Sequence, residues 1–297
     1  MGLAGATVLG RVGGTSWPLD LLSHFPLQLG LAALGLACIA AARGAVLSML
    51  LATVVVWANA MTLRIPAGAE AVAGASSLRV AMANLSLTNR NGFLPDALVA
   101  GRDPDVLGFA EVNARWAADL DAALQGHPHR LVASREHHFG IALYSRLPFE
   151  SSEVRLLGGD PHHPALLATV RVDGNPVRLL VAHPHPPLTG GVSSLRDRQL
   201  AELSRIRNEA PGPFVLLGDL NATPWSQAFV RLLRSSGLRD SRAGYGQQAT
   251  WPALLGPLGL PLDHILISPD WIATRRNVGV GVGSDHRPVF AELHFRL

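Results

Sequence analysis

The stretch 213–226, PFVLLGDLNATPWS, decides how the rest of the chain is interpreted. Its apolar residues from Phe214 to Leu217 predict a buried strand, which runs directly into Gly-Asp-Leu-Asn. Because side chains alternate between the two faces of an extended chain, Asp219 and Asn221 lie on the same side. A carboxylate and an amide at the end of a core strand form either an active-site pair or an Asx-type turn. The segment alone leaves both interpretations open.

Polar side chains stand at the ends of apolar runs throughout the second part of the chain. The predicted strands are 78–86, 104–112, 139–149, 165–172, 177–187, 263–268 and 287–295, and the predicted helices are 193–209 and 226–236. The polar residues at the strand ends are Asn84, Glu111, His183, Asp219, Asn221, Asp263, Asp285 and His286. Such a series within one domain indicates a site at the rim of a sheet. Short connections and an excess of strands favour an α/β fold with helices outside a mixed sheet.

The residue types in this set favour metal-assisted chemistry. Carboxylate and amide oxygens suit Mg²⁺ or Mn²⁺, which typically keeps several waters while it contacts a phosphate. Histidine titrates near neutral pH, so it can transfer a proton or donate to a phosphoryl oxygen. The single cysteine, Cys38, lies in an apolar run, which excludes an intrachain disulfide and thiol chemistry. The set therefore predicts metal-assisted hydrolysis of a phosphate ester.

Histidines also occur close together at 127–129, 137–138, 162–163 and 183–185. A zinc site is the minority interpretation, because the segments contain no cysteine and no helical His-x-x-x-His spacing. We expect these histidines to be solvated loop residues, apart from His183.

The composition excludes a disordered chain and says little about partners. The 297 residues are 48% hydrophobic and 16% charged. A sequence pI near 9.9 fits a polyanionic partner or a membrane surface, but the net charge is only +3. The arginines that could follow a nucleic-acid backbone are scattered along the chain. They are Arg135, Arg146, Arg196, Arg198 and Arg287.

Two uncharged runs, 25–42 and 44–63, flank Arg43 near the amino terminus. Each is close to the roughly 20 residues that span a bilayer as a helix. They predict a transmembrane helical hairpin with Arg43 at its tip. The alternatives are a pair of buried core helices, or a signal peptide with the small-residue stretch 58–60 as its cleavage site.

The expected domain organisation has three parts. These are an N-terminal membrane region over 1–63, a linker over 64–77 and a catalytic domain over 78–297. A lone arginine in the tight turn of the hairpin favours a cytoplasmic tip. We therefore expect a multi-pass protein of the cell membrane, bound to the membrane through residues 25–63, with the catalytic domain extracytoplasmic.

Five motifs occur in the order found in the endonuclease/exonuclease/phosphatase superfamily, the deoxyribonuclease I-like fold. They are MANL (82–85), GFAEV (108–112), GDLNATPWS (218–226), PLDHILIS (261–268) and GSDHRPV (283–289). The resemblance covers roughly 78–297 and implies a four-layered α/β sandwich, with two mixed β-sheets face to face and helices outside. Together with the apolar N-terminal region, the chain resembles membrane-tethered bacterial members. On this resemblance, Asp219 and Asn221 are active-site residues.

The resemblance implies a divalent metal, Mg²⁺ or Mn²⁺. Glu111 would bind it, Asn84 would help to hold it or a phosphate oxygen, and Asp285 would be a metal ligand or the partner of one. The sequence departs from the family pattern at Ala110, where glutamine is common, and the family does not fix the second histidine, His185.

The resemblance also implies the catalytic groups. Asp219 would orient or deprotonate the attacking water, and Asn221 would fix the phosphate beside it. His286 would contact the scissile phosphate or act as a base, and Asp263 would hold its ring and favour the imidazolium. His183 would face His286 across the phosphate as the other acid or oxyanion stabiliser. Which histidine is base and which is acid stays open.

The expected function is hydrolysis of phosphate esters, most simply by an endonuclease-like phosphodiesterase that uses metal- and histidine-assisted attack of water. The alternatives are a membrane-associated phospholipid phosphodiesterase and an inositol-phosphate phosphatase. A non-enzymatic membrane scaffold would be expected to have lost some of the eight site residues, and none is lost. Nucleic acid and phospholipid both stay open as substrates, and no obligate protein partner is evident.

Overall fold

The computed structural model describes residues 2–12, 16–63, 76–90, 98, 102–281 and 283–296. The strands are β1 (Ser77–Asn84), β2 (Val106–Ala110), β3 (His129–Ala133), β4 (Ile141–Ser145), β5 (Phe149–Leu156), β6 (Pro164–Val172), β7 (Asn175–Ala182), β8 (Phe214–Asp219), β9 (Arg239–Asp240), β10 (Asp263–Ile267), β11 (Trp271–Val278) and β12 (Val289–Phe295). The α-helices are α1 (Gly2–Val12), α2 (Trp17–Ser23), α3 (Pro26–Ala42), α4 (Val46–Thr62), α5 (Ala114–Ala123), α6 (Gly190–Asn208) and α7 (Gln227–Ser236). Short 3₁₀-helices cover Leu157–Gly159 and Ala253–Leu258.

The strands form two six-stranded sheets, ordered β11-β12-β1-β2-β4-β3 and β5-β6-β7-β8-β10-β9. In each sheet one inner pair is parallel, β1 with β2 and β7 with β8, and its other neighbours are antiparallel. A parallel pair brings the carboxyl ends of both strands to one edge of the sheet. Asn84 accordingly lies opposite Ala110, and Ala182 lies opposite Gly218. Asn84 is itself a predicted site residue, and Glu111, His183 and Asp219 directly follow the other three positions.

The main core lies between the two sheets. Met82 and Val106 of the first sheet and Val181 and Leu217 of the second belong to one cluster and are buried. A Cβ at Gly108 would lie 3.1 Å from the Leu217 side chain, so glycine lets the sheets approach closely there. Burial of one such aliphatic side chain contributes roughly 1.5–3 kcal/mol. This packing holds the two sheet edges in a fixed alignment.

Helices cover the outer faces of both sheets. Helix α5 packs Trp116 and Leu120 against the first sheet. Helices α6 and α7 pack Leu203 and Phe229 against the second. Helix α6 begins at Gly190, earlier than predicted, because the Thr189 side chain caps it by accepting from the Val192 N–H. The predicted four-layered α/β sandwich with two mixed sheets is confirmed.

Several elements differ from the sequence prediction. The interval 139–149, predicted as one strand, contains β4 and the first residue of β5, because the chain turns between Ser145 and Phe149. Helix α5 and strands β3, β5, β9 and β11 are not predicted. Strand β5 lies at a sheet edge with most of its residues exposed, so it lacks the apolar pattern that marks a buried strand.

Two of the N-terminal helices fall where the uncharged runs predict them. Helices α3 and α4 pack against each other and are joined by a short connection at residues 43–45. Within the described residues, no single helix is long and apolar enough to cross a membrane. Helices α2 and α3 meet that criterion together, bent by 72° at the break between them. Residues 64–75 of the predicted linker lie outside the described residues, and Ser77 already belongs to β1.

Candidate active site

The carboxyl ends of strands β1 and β2 in the first sheet and of β8 in the second meet at Asn84. This residue ends β1 and is only 2% exposed. Its side-chain Nδ2 donates to Glu111 Oε1 at 3.1 Å and to Asp219 Oδ2 at 3.0 Å. Glu111 follows β2 in the first sheet, whereas Asp219 ends β8 in the second. The amide of Asn84 therefore joins carboxylates from both sheets.

Glu111 is held in a backbone conformation that few side chains adopt. Its φ is +60°, and such conformations cost of order 1–3 kcal/mol and concentrate at functional sites. Its Oε2 accepts from the Leu87 N–H at 2.8 Å and from His138 Nδ1 at 2.8 Å. The side chain is 13% exposed. Both carboxylate oxygens are thus oriented by hydrogen bonds while the group stays reachable from solvent.

Asp219 and Asn221 form an Asx-type turn and also face the site. Asp219 Oδ1 accepts from the Asn221 N–H at 3.1 Å, which leaves Oδ2 directed at the other polar groups. Asn221 has a φ of +49°, a conformation that asparagine tolerates better than most residues. Its Nδ2 donates to the Pro184 carbonyl at 3.0 Å and lies 3.3 Å from His183 Nε2. The Asx-type turn at Asp219 and Asn221 is therefore itself part of the candidate site, so both interpretations of this segment hold.

The register of the second sheet sets the spacing of two buried aspartates. Asp263, the first residue of β10, pairs across the sheet with Asp219. A Cβ at Gly218 would lie 2.4 Å from the Ala182 carbonyl oxygen, so a larger residue there would push β7 and β8 apart. Neither aspartate is more than 1% exposed. Gly218 is therefore required for the close approach of β7 and β8 that positions Asp219.

Two imidazoles flank the Asp219 carboxylate. Nε2 of His183 and Nε2 of His286 each lie 3.6 Å from Asp219 Oδ2. His183 Nδ1 donates to the His138 carbonyl at 3.0 Å. Because a carbonyl only accepts, Nδ1 carries the proton and Nε2 of neutral His183 is an acceptor. His286 Nδ1 lies 2.8 Å from Asp263 Oδ2, which likewise directs Nε2 toward Asp219.

The charges of this cluster shift its pKa values. Burial alone would lower the pKa of His286, but the carboxylates of Asp263 and Asp219 outweigh burial and raise it to about 10. Burial alone would raise the pKa of Asp219, but the charges of His286 and His183 hold it below its usual value. Burial raises the pKa of Asp263, and the like charge of Asp219 adds to this rise against the pull of His286. At neutral pH the cluster therefore contains an imidazolium beside an ionised Asp219.

The model of the Endonuclease/Exonuclease/phosphatase family matches residues 89–286. The chain belongs to this family. Its members hydrolyse phosphate esters and typically depend on a divalent metal ion. The match contains Glu111, His183, Asp219, Asp263 and His286, whereas Asn84 lies just before it.

The chain is also similar to individual proteins and solved structures. Protein cwh43 of Schizosaccharomyces pombe is 30% identical over 139 residues, which is 46% of this chain and 13% of that protein. An endonuclease/exonuclease/phosphatase family protein from Bacteroides thetaiotaomicron has a TM-score of 0.63 at 18% identity, over 75% of this chain and 96% of that chain. TDP2 of D. rerio, solved with a single-stranded DNA product, has a TM-score of 0.59 at 17% identity, over 74% of this chain and 99% of that chain. At these identities the solved structures establish the fold alone.

The family's divalent metal fits the donor set of the site. Glu111 and Asn84 offer carboxylate and amide oxygens, the hard ligands that Mg²⁺ and Mn²⁺ prefer. The partial exposure of Glu111 leaves room for water beside it. The buried Asp219, Asp263 and His286 also offer ligand atoms within 4.8 Å of one another.

Asp285 lies at the edge of this arrangement. It is exposed, and its Oδ2 accepts from Trp251 Nε1 at 3.1 Å. Its charge contributes to the raised pKa of His286. Among the described side-chain contacts, none joins it to Glu111 or Asn84. The other seven predicted residues are brought together, and Asp285 borders them from the loop before β12.

Three residues of the site are missed by the sequence analysis. His138 contacts Glu111 through Nδ1 and His183 through its carbonyl. The Thr250 hydroxyl accepts from the Asp263 N–H at 3.2 Å. The Ser284 hydroxyl donates to the Asn84 carbonyl at 2.8 Å and accepts from the His286 N–H. Only Ser284 had a signal, because it lies within the motif GSDHRPV.

The prediction of solvated loop histidines is wrong at His127 and His163. His127 is 3% exposed and bonds the Pro104 carbonyl, while His163 is 2% exposed. Burial, then the charge of His185, lowers the pKa of His163 to about 4. The rings of His163 and His185 pack with their centroids 3.9 Å apart. The Asp160 carboxylate lies 2.9 Å from His163 Nδ1. Asp160 and His163 lie before β6, whereas His185 belongs to the loop that carries His183.

Proposed function

We propose that this protein is a phosphodiesterase that uses Mg²⁺ or Mn²⁺ and attacks phosphorus directly with water. The observation that carries this proposal is the carboxylate of Asp219. It lies between His183 and His286 and is joined through Asn84 to Glu111. A proton acceptor, a cation for the phosphoryl oxygens and a metal ligand are the groups that such hydrolysis requires.

In this proposal Asp219 orients the attacking water and accepts its proton. The imidazolium of His286, oriented by Asp263, donates from Nε2 to a phosphoryl oxygen. Its raised pKa favours stabilisation of negative charge over acceptance of a proton. His183 and the amide of Asn221 contact the phosphate from the other side, and His183 is the group that protonates the leaving oxygen.

Glu111 and Asn84 would hold the metal, with Asp285 as a further candidate ligand. A divalent ion held by these residues would supply Lewis-acid stabilisation of negative charge on the phosphate. The protein residues orient this ligand set, since His138 and the Leu87 N–H fix the second oxygen of Glu111.

We also propose that residues 1–63 tether the enzyme to the cell membrane, with 25–63 in the bilayer and the catalytic domain on the extracytoplasmic side. The uncharged helices α3 and α4, with many exposed apolar side chains, support this proposal. This organisation resembles membrane-tethered bacterial members of the family.

A nuclease activity has less support from the surface. The scattered arginines include Arg196, which is fully buried in an ion pair and cannot contact a nucleic-acid backbone. Likeness to TDP2, with its DNA product, is a likeness of fold. A metal-supplemented substrate panel on the full chain in detergent tests the alternatives: single-stranded DNA, RNA, phospholipids and inositol phosphates.

The panel is run with the wild type, Glu111→Gln and His129→Ala. His129 begins β3 opposite Ser145, at the end of the first sheet remote from Glu111, so it is the matched control. We expect hydrolysis of at least one phosphodiester by the wild type and the control, and a large loss in Glu111→Gln. Hydrolysis of no phosphodiester, or unchanged activity of Glu111→Gln, would contradict the proposal.

A further inference from the structure

The N-terminal helices are fixed to the catalytic domain by a buried ion pair. Asp20 of α2 lies 2.7 Å from Arg196 of α6, and both side chains are nearly inaccessible to solvent. Asp20 also accepts from the Gln227 N–H at the start of α7. Arg196 in turn donates to the carbonyl of Asn221 at 3.2 Å. Arg196 also pairs with Asp197 of its own helix, so Asp20 is the carboxylate that links this buried charge to α2. Separation of α2 from α6 would break this buried pair, which keeps the helices in a fixed position relative to the site.

Two loops that leave the active site contact these helices. In the loop after His183, the Pro187 carbonyl accepts a hydrogen bond from Trp17 Nε1 at 2.7 Å. In the loop after Trp251, the Leu258 carbonyl accepts a hydrogen bond from Gln28 Nε2 at 2.7 Å. The first loop therefore meets the start of α2, and the second meets the first turn of α3.

The same two loops carry exposed leucines, which we call the rim leucines. They are Leu188, Leu254, Leu255 and Leu258, exposed by 72%, 95%, 50% and 48%. The second loop starts beside the catalytic residues, because Trp251 Nε1 donates to Asp285 and the Ala253 N–H donates to the Asp285 carbonyl. Leu254, Leu255 and Leu258 lie within one short 3₁₀-helix, and contiguous exposed apolar groups mark a binding surface more often than scattered ones do.

The rim leucines continue a larger apolar surface. Helices α3 and α4 expose aliphatic and aromatic side chains along their length, among them Leu34, Ile39, Leu47, Leu51 and Trp57. Each helix has 17 residues and is therefore about 25 Å long. Gln28, the third residue of α3, is the residue that contacts the loop of the rim leucines. When α3 and α4 enter a bilayer tip first, the rim leucines lie at the boundary between headgroups and acyl chains.

We infer that the active site opens at the surface of a lipid bilayer and that its substrate is the phosphate ester of a lipid headgroup. The inference rests on the proposed phosphodiesterase function. The bilayer is the occupant because the rim is continuous with two helices that carry no charged side chain between Phe25 and Ala42 or between Ala45 and Leu63.

The reaction needs no reactant besides water. The water oxygen bonds to phosphorus, and the bond from phosphorus to the leaving alcohol oxygen breaks. Asp219 takes the water proton, and the leaving oxygen receives a proton from His183 once that ring is protonated. The lipid phosphodiester becomes a phosphomonoester and an alcohol.

The membrane contact is tested without any activity measurement. Cys38 is the single cysteine, so a Cys38→Ser background permits one label at Leu254→Cys and, as the control, one at Asn175→Cys. Asn175 begins β7, so it lies at the end of that strand remote from His183. The full chain is reconstituted in vesicles of equal amounts of phosphatidylcholine, phosphatidylglycerol and phosphatidylinositol, with or without nitroxide-bearing acyl chains.

We expect an environment-sensitive fluorophore at position 254 to be blue-shifted and quenched by the nitroxide lipid, and the label at 175 to be unaffected. Equal quenching at both positions, or none at 254, would overturn the membrane contact. Protection of the label at 254 only in the presence of an added protein would also overturn it, in favour of a protein partner.

The substrate class is tested with a double variant, Leu254→Ser with Leu255→Ser, and a matched control, Val154→Ser. Val154 is also an exposed apolar residue, 47% accessible, but lies on β5 at a sheet edge. We expect the double variant to hydrolyse soluble bis(4-nitrophenyl) phosphate like the wild type. Its hydrolysis of the vesicle lipids should fall roughly tenfold, since interfacial binding scales with buried apolar area.

Three outcomes separate the two levels of the proposal. Wild type that hydrolyses the soluble diester but none of the vesicle lipids would overturn the inference and leave the proposed function intact. Equal losses on both substrates would overturn the role of the leucines. Wild type without activity on these two substrates and on every other phosphodiester of the panel would contradict the proposed function itself.

Discussion

At the scale of residues, the site depends on groups whose partners come from distant parts of the chain. Asp219 is bonded by Asn84 and flanked by His183 and His286, which lie on three different segments. Glu111 and Asn221 both adopt φ values above +45°, a cost that the surrounding structure must offset. The electrostatic balance among these groups is the first property that mutation can test.

We expect Asp263→Asn to lower the pKa of His286. In the wild type this pKa is raised to about 10 from an ordinary value of 6.5. A raised folded-state pKa stabilises the folded protein fully below about pH 6.5, and this contribution is lost as the pH rises toward 10. NMR titration of ring-labelled histidine in metal-free protein measures the shift, and denaturation at several pH values measures the linked stability. Titration of His286 near 6.5 in the wild type would contradict the charge arrangement.

We expect His286→Ala to lower kcat by roughly 10²–10⁴, the usual size of a contribution from one proton-transferring or charge-stabilising side chain. Asp263 acts through the same ring, so the double variant should lose little more than the worse single variant. Steady-state kinetics with a soluble phosphodiester provide the measurement, and His129→Ala is the control. Additive losses would show that the two residues act separately.

At the scale of elements, the strands explain what the sequence can predict. Asn84, Glu111, His183 and Asp219 were found because each stands at the end of a buried apolar strand, and two parallel pairs align those ends. His138 was missed because it lies in a loop whose residues show no period. Strand β11 was missed because Arg275 and Arg276 interrupt its apolar pattern, although Arg276 is buried. A continuous apolar run identifies strands that are buried on both faces. Strands at sheet edges have exposed polar residues and cannot be recognised in this way.

The contact between α2 and α6 is an element-scale prediction for stability. Asp20→Ala should lower the free energy of unfolding by roughly 3 kcal/mol, because the buried Arg196 loses its carboxylate partner on α2 and keeps only Asp197. Asp119→Ala breaks the exposed pair with Arg115 and should change stability by about 1 kcal/mol or less. Denaturant titration of the full chain in detergent compares the two variants. Equal effects would show that the ion pair does not hold the N-terminal helices in place.

At the scale of the whole molecule, an α/β sandwich carries a helical region that packs against the elements beside its candidate active site. The order of five motifs was sufficient to predict the sandwich and its two mixed sheets. Docking of α2 on α6 could not be predicted, because it depends on an ion pair between Asp20 and Arg196, which lie 176 residues apart in the sequence. The exposed rim leucines had no signal either, since leucine in a loop is common and exposure is a property of the fold.

Membrane orientation is a whole-molecule prediction. We expect alkaline phosphatase fused at Gly74 or at the C-terminus to be active, and a cytoplasmic reporter to be inactive at both positions. The physical reason is the lone Arg43 in the turn of the hairpin, which favours the cytoplasmic side. The opposite pattern would place the catalytic domain inside the cell, and extraction of the protein from membranes by carbonate would exclude the hairpin.

We propose that Glu111, Asn84 and the aspartate–histidine cluster form a metal-dependent phosphodiesterase site. The most direct measurement is hydrolysis of bis(4-nitrophenyl) phosphate by the full chain, after exhaustive chelation and again after stepwise addition of Mg²⁺ or Mn²⁺. We expect no turnover without metal and saturable recovery of activity in the wild type as metal is added. In Glu111→Gln the recovered activity should be lower and should require a higher metal concentration. Full activity of the chelated wild type would contradict this proposal.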